Sequence, residues 1–153
     1  RDATSALNAQ VILIVAASLA IGVALLNTGG ADYLAQLFVA LVGDTSPALV
    51  ISGLMLLMGV LTNIVSNNAA AVIGTPIAVS IAAQMGQPAE PIVLAVLFGA
   101  NMSYATPMAY KTNLLVMNAG NYTFNDFLRI GVPLLLIMWV ALSGLLPTLY
   151  GIK

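Results

Sequence analysis

The chain has no cysteine and no histidine. Without Cys there is no thiol chemistry, and nothing indicates a redox compartment. Without His it lacks the usual transition-metal ligand and the side chain that carries protons near neutral pH. Charge is also scarce. Only 6% of residues are charged, against about 25% in a soluble domain. Four Lys/Arg against five Asp/Glu leave a net charge of −1, so there is no basic patch and no nucleic-acid partner is expected. No nucleophile–base pair or metal constellation is visible, and the chain does not read as an enzyme. It begins with Arg1 rather than Met and shows no signal-peptide grammar. It reads as one segment of a longer protein.

What is abundant is apolar surface. The chain is 61% hydrophobic with a mean hydropathy of +1.05, which is membrane composition. The fold expected is all-α: a polytopic membrane protein with a re-entrant helical hairpin and a discontinuous transmembrane helix.

A polar knot interrupts the apolar sequence at Thr62, Asn63, Ser66, Asn67 and Asn68. In lipid, each unpaired polar group costs several kcal/mol. Five of them need another helix, water or a ligand. Apolar arms flank the knot, and residues 46–84 together read as the hairpin. The alternative is two full crossings with the knot as an outside loop. A plain loop usually carries Lys, Glu, Asp or Gly, and this one has none.

Residues 9–26 are long enough to span a hydrocarbon core of about 30 Å, and Gly29-Gly30 ends that helix. Residues 31–43 are too short to span. They set Asp32, Gln36 and Ala40 against Tyr33, Leu34, Leu37, Phe38 and Leu41, which suits an interfacial amphipathic helix or a short buried one. Pro47 fits a first helical position. Residues 92–118 read as one broken crossing. Its helix opens around Tyr104 to Tyr110, because Pro107 donates no backbone hydrogen bond and biases Thr106 away from helical angles. Thr123 and Asp126 have capping-box spacing. Residues 127–150 form the last span. Lys/Arg placement orients Arg1 and Arg129 to the cytoplasm, with Asp32, Asp44, Glu90 and Lys153 opposite.

A hairpin tip beside a broken helix is the pattern of a secondary-transporter site. Helix ends in mid-membrane leave carbonyls that hold a cation, and helix starts leave N–H groups that favour an anion. The oxygen donors are Ser66, Asn67, Asn68, Thr106, Asn113 and backbone carbonyls. This neutral cage suits Na⁺ better than Mg²⁺ or Ca²⁺, and no proton relay is evident. Lys111 is the one charge at membrane depth. It attracts an anion, snorkels, or bonds the opened carbonyls near Thr106. The bland reading of the Asn and Ser residues is interhelical glue. On that reading the chain is a structural membrane subunit or a channel.

Three runs carry a family resemblance. Thr62-Asn63-Ile64-Val65-Ser66-Asn67-Asn68-Ala69-Ala70 resembles the hairpin-tip motif of the divalent anion/sodium symporter family, in the ion transporter superfamily. Ala105-Thr106-Pro107-Met108-Ala109-Tyr110-Lys111-Thr112-Asn113 resembles its unwound-helix motif, and the run from Gly120 to Leu134 is similar to one in bacterial members. The likeness covers about residues 9–150, with the motifs in order. Asn68 stands where the family has Thr, and Lys111 where many bacterial relatives have Gln.

The resemblance implies the carboxy-terminal inverted repeat of a sodium/dicarboxylate- or sulfate-type permease. It implies sodium-coupled symport of small divalent anions by alternating access, with proton-coupled or antiport chemistry as the alternative. Sodium would bind Ser66, Asn67, Asn68, Ala105, Thr106 and Pro107. The anion would meet Asn67, Asn68, Thr106, Lys111, Thr112 and Asn113. No cofactor is implied beyond Na⁺ as coupling ion. The implied partners are the anion, Na⁺, membrane lipid, a missing amino-terminal repeat and, in the complete protein, a second copy forming a homodimer. The implied location is the cell inner membrane, multi-pass.

Overall fold

The computed structural model describes residues 9–42 and 46–152. The polar start, the turn at residues 43–45 and the charges Arg1, Asp44 and Lys153 lie outside them. The described residues form seven helices: α1 (Ala9–Asn27), α2 (Gly30–Val42), α3 (Pro47–Thr62), α4 (Asn67–Met85), α5 (Ala89–Asn101), α6 (Lys111–Ala119) and α7 (Phe124–Tyr150). The protein is an all-α polytopic membrane protein. By length and composition α4 and α7 are each able to cross a bilayer, and a bent pair, residues 19–27 with α2, makes a third candidate.

Local chemistry sets the helix ends. Thr28 donates its hydroxyl back to the Ala24 carbonyl, and Gly29 takes a φ of +72°. The chain turns there by 75° into α2. Pro47 opens α3 behind an extended Ser46. Gly86, at φ +62°, closes α4, and the Gln87 N–H reaches back to the Ala82 carbonyl at 3.0 Å. This is the left-handed stop that glycine adopts without strain. At the head of α7 the Thr123 N–H and hydroxyl both donate to Asp126 Oδ2, at 2.8 and 2.7 Å.

The core lies among α3, α4 and α5. Ile51, Leu54, Met55 and Met58 of α3 pack on Ile77, Ala78 and Ile81 of α4 and on Ile92, Ala95 and Val96 of α5. Lipid is as apolar as these side chains, so close packing and interhelical hydrogen bonds hold such helices together. Two glycines permit the approach. A Cβ on Gly99 would stand 2.5 Å from the Met55 carbonyl oxygen, and one on Gly74 would stand 2.6 Å from Met58 Sδ. α1 and α2 cover α4, and α7 covers α3. Trp139 Nε1 of α7 donates to the Ser52 carbonyl at 2.9 Å, and the Ser52 hydroxyl donates to Ser143 at 2.8 Å. In α2, Ala31 and Ala35 are buried, while Tyr33, Leu37 and Leu41 are exposed. Asp32 accepts a hydrogen bond from Ser80 of α4. α6 buries none of its residues.

Candidate functional site: a hairpin tip clasped to a helix break

Four helix ends face two short non-helical segments. α3 stops at Thr62, and α4 starts at Asn67 after the tip, residues 63–66. α5 stops at Asn101, and α6 starts at Lys111 after the break, residues 102–110. Hydrogen bonds join tip to break. The Thr62 hydroxyl donates to the Ala100 carbonyl at 2.8 Å.

Asn63 is the hub of the junction. Its Nδ2 donates to the Gly59 carbonyl at 2.7 Å and to the Met102 carbonyl at 2.9 Å. Its Oδ1 accepts the Ala105 N–H at 2.8 Å and the Thr106 N–H at 3.1 Å. Its main-chain carbonyl accepts the Thr106 hydroxyl at 2.7 Å. Two carbonyls face one end of the amide and two N–H groups face the other, so the orientation of the amide is unambiguous. Asn63 and Thr62 are both buried. No buried side-chain polar atom is left without a partner among the described residues.

The proposed ligand residues take distinct positions. Ser66 is exposed and caps α4, its Oγ accepting the Ala69 N–H at 3.3 Å. Half-buried Asn67 accepts the Asn68 N–H on its Oδ1 at 2.8 Å, and Asn68 is exposed. Ala105, Thr106 and Pro107 are buried in the break. Asn113 donates Nδ2 to the Ser103 carbonyl at 2.8 Å and to the Thr106 carbonyl at 3.1 Å. It thereby ties the first turn of α6 back to the break. Lys111 and Thr112 are exposed at the head of α6.

Hydrogen-bond commitments sort these groups by charge preference. The Thr106 hydroxyl hydrogen and both Asn113 amide hydrogens are committed inside the protein, so toward a ligand these side chains offer only oxygen. That suits a cation. The amides of Asn67 and Asn68, the Thr112 hydroxyl and Lys111 remain able to donate. That suits an anion. Neither the tip nor the break contains a carboxylate. The described residues hold no group of three or more His, Cys, Asp or Glu able to bind a metal.

Two residues outside the sequence-derived ligand set shape the junction. Asn63 is one: an amide at the end of an apolar helix signals a buried partner, but not which one. Gly131 of α7 is the other. A Cβ there would lie 2.6 Å from the Ala105 Cα and run into the Tyr104 carbonyl. Its sequence signals are a glycine inside a long apolar helix and its place in the family-like run from Gly120 to Leu134, and neither says what it touches.

Residues 1–152 match a family model described as citrate transporter. The chain is 34% identical over 148 residues to the probable sodium/sulfate cotransporter 3 of Chlamydomonas reinhardtii, covering 95% of this chain and 16% of that protein. It is 33% identical over 144 residues to an uncharacterized transporter of Synechocystis, covering 94% and 24% respectively. It is 31% identical over 139 residues to the uncharacterized transporter YfbS of Escherichia coli, covering 91% and 23%. The chain thus spans a quarter or less of the length of these relatives. The family and these three relatives are named as transporters rather than enzymes, in keeping with the divalent anion/sodium symporter resemblance. With nearly every residue matched, this membrane-embedded chain belongs to the citrate transporter family.

Proposed function

We propose that this chain is one repeat of a sodium-coupled secondary transporter of small multivalent anions, dicarboxylates or sulfate, working by alternating access in the cell inner membrane. The observation that carries this reading is the Asn63 junction. α5 has 13 residues and rises about 20 Å, short of the about 30 Å hydrocarbon core. A helix of that length entering from one surface ends inside the bilayer. The tip is hydrogen-bonded to the break and lies at the same depth. α3 and α4 then form the re-entrant hairpin, residues 46–84, and α5 with α6 the broken crossing. Irregular backbone at that depth is tolerated where it lines a protein-covered or watered site.

The geometry divides the work between cation and anion. Thr106, Asn113, Ser66 and the carbonyls of the break offer oxygen to Na⁺. The starts of α4 and α6, with Asn67, Asn68, Thr112 and Lys111, offer N–H, hydroxyl hydrogen and positive charge to the anion. Cation and anion then bind side by side, each favouring the other by charge. Such mutual favouring couples their transport. The family description names citrate and several relatives are named for sodium and sulfate. Citrate and sulfate are multivalent anions, which supports this reading.

The test is uptake of radiolabelled succinate, citrate and sulfate by the complete parent protein in proteoliposomes. An inward Na⁺ gradient is compared with an inward H⁺ gradient. Saturable uptake that needs Na⁺ and falls at least about tenfold in Asn67→Ala is expected. Uptake driven by H⁺ alone would replace sodium with proton coupling. Non-saturating conductance would point to a channel.

A further inference from the structure

Neither Asn63 nor Gly131 belongs to the proposed ligand set, yet both touch the backbone that would hold the cation. Asn63 Oδ1 accepts the N–H groups of Ala105 and Thr106 together. A trans peptide is planar, so its carbonyl points opposite to its N–H. Fixing these two N–H groups turns the Tyr104 and Ala105 carbonyls away from Asn63. The Tyr104 carbonyl meets α7 at Gly131, where a Cβ would collide with it. Residues 104–106 are thus held between the tip on one side and α7 on the other. The second half of the Asn63 amide anchors the clasp to Gly59 of its own helix and to Met102 at the start of the break. α7 is in turn pinned to α3 through Trp139 and Ser143. A closed mechanical circuit runs from tip to break to α7 to α3.

We propose that Asn63 and Gly131 are positioning residues for the cation half of the site. They set the direction of the break carbonyls from opposite sides and touch neither ligand. This inference rests on the sodium-coupled reading above and adds to it which residues tune the sodium affinity. The main-chain carbonyls of such a site have no side-chain freedom with which to adjust. Its affinity depends on how the peptide planes are held. Residues that orient ligands from behind typically change metal affinity by about 10- to 100-fold when lost.

The experiment uses the complete protein in proteoliposomes. For native, Asn63→Ala and Gly131→Ala forms, the half-saturating Na⁺ concentration is measured, together with the KM for the anion at saturating Na⁺. Thermal stability in detergent is followed in parallel. Both variants are expected to raise the half-saturating Na⁺ concentration about tenfold or more. The anion KM at saturating Na⁺ should change less than about twofold, because the anion donors are untouched. If Asn63→Ala does not fold, or if the methyl of Gly131→Ala against the Tyr104 backbone prevents folding, Asn63→Ser carries the test, since its hydroxyl can still bond one group at the junction but cannot hold the Ala105 and Thr106 N–H groups together. Folded variants with the native Na⁺ curve would overturn the inference while leaving sodium coupling intact. A fall in maximal rate with no shift in Na⁺ dependence would also overturn it, by reducing both residues to a structural role. Native uptake without any Na⁺ stimulation would overturn the sodium reading and this inference together.

Discussion

At the scale of single residues, the protein places its polar side chains where backbone groups would otherwise stay unpaired. Thr62 makes one buried interhelical bond, to the Ala100 carbonyl. Thr62→Val keeps the shape and loses the bond. It should lower stability by about 1 kcal/mol, within the span measured for interhelical bonds in membranes. Asn63 makes four side-chain hydrogen bonds and receives a fifth on its carbonyl. Asn63→Ala strands two carbonyls and two N–H groups at once, and should cost about 3 kcal/mol or more. Thermal unfolding in detergent checks both, and equal losses for the two variants would contradict this ranking. The knot of polar residues is conspicuous in the sequence because it is surrounded by apolar ones. Which of them binds the protein and which faces a ligand is not. Asn63, Asn67 and Asn68 are the same residue type within six positions, and the partners that set Asn63 apart, Met102, Ala105 and Thr106, sit about forty residues away in the chain.

At the scale of helices, close approach decides what each glycine does. Gly99 faces the backbone of α3, with a Cβ position 2.7 Å from Met58 Cβ and closer still to the Met55 carbonyl. Gly99→Ala should push α5 off α3 and cost about 1–3 kcal/mol. Gly144, inside α7, has open space around it. Gly144→Ala should be stabilising by about 0.5–1 kcal/mol, since alanine orders a helix at lower entropic cost. The two variants are the same substitution with opposite sign, and one melting experiment compares them. Helix ends were readable at this scale where a local rule governs them: Gly29 after α1, Pro47 before α3, and Thr123 with Asp126 at the head of α7. The glycine contacts were not readable, because a glycine reports close approach without naming what approaches.

At the scale of the whole molecule, the long final helix orients the rest. α7 has 27 residues and rises about 40 Å, more than the hydrocarbon core requires. Its end, Tyr150, donates a 2.7 Å hydrogen bond to Glu90 at the head of α5. Gln87 and Tyr150 line one shared recess there. A crossing by α7 puts its start on the opposite side of the bilayer from Gln87. Because this chain has no cysteine, single cysteines report this directly. In an otherwise cysteine-free protein, Gln87→Cys and Asn125→Cys should react with a membrane-impermeant maleimide from opposite sides, Asn125→Cys from the cytoplasmic side. Labelling of both from one side would contradict a crossing by α7. Large apolar side chains such as Leu115, Ile137 and Val140 are exposed on the described chain. In a membrane protein such faces meet lipid or neighbouring helices.

Composition and local pattern by themselves determined that the chain is helical, lies in a membrane, and breaks its apolar runs at two neutral polar segments. These properties follow from nearest neighbours along the chain: apolar length, a proline, a glycine, a capping pair. Only the tertiary structure decided that tip and break are one object, that Thr106 and Asn113 spend their hydrogens inside the protein, and that Gly131 presses on the break from behind. Hydrogen bonds between distant residues and backbone-to-backbone contact depend on how helices lie in three dimensions. Residue type and spacing carry no record of that arrangement.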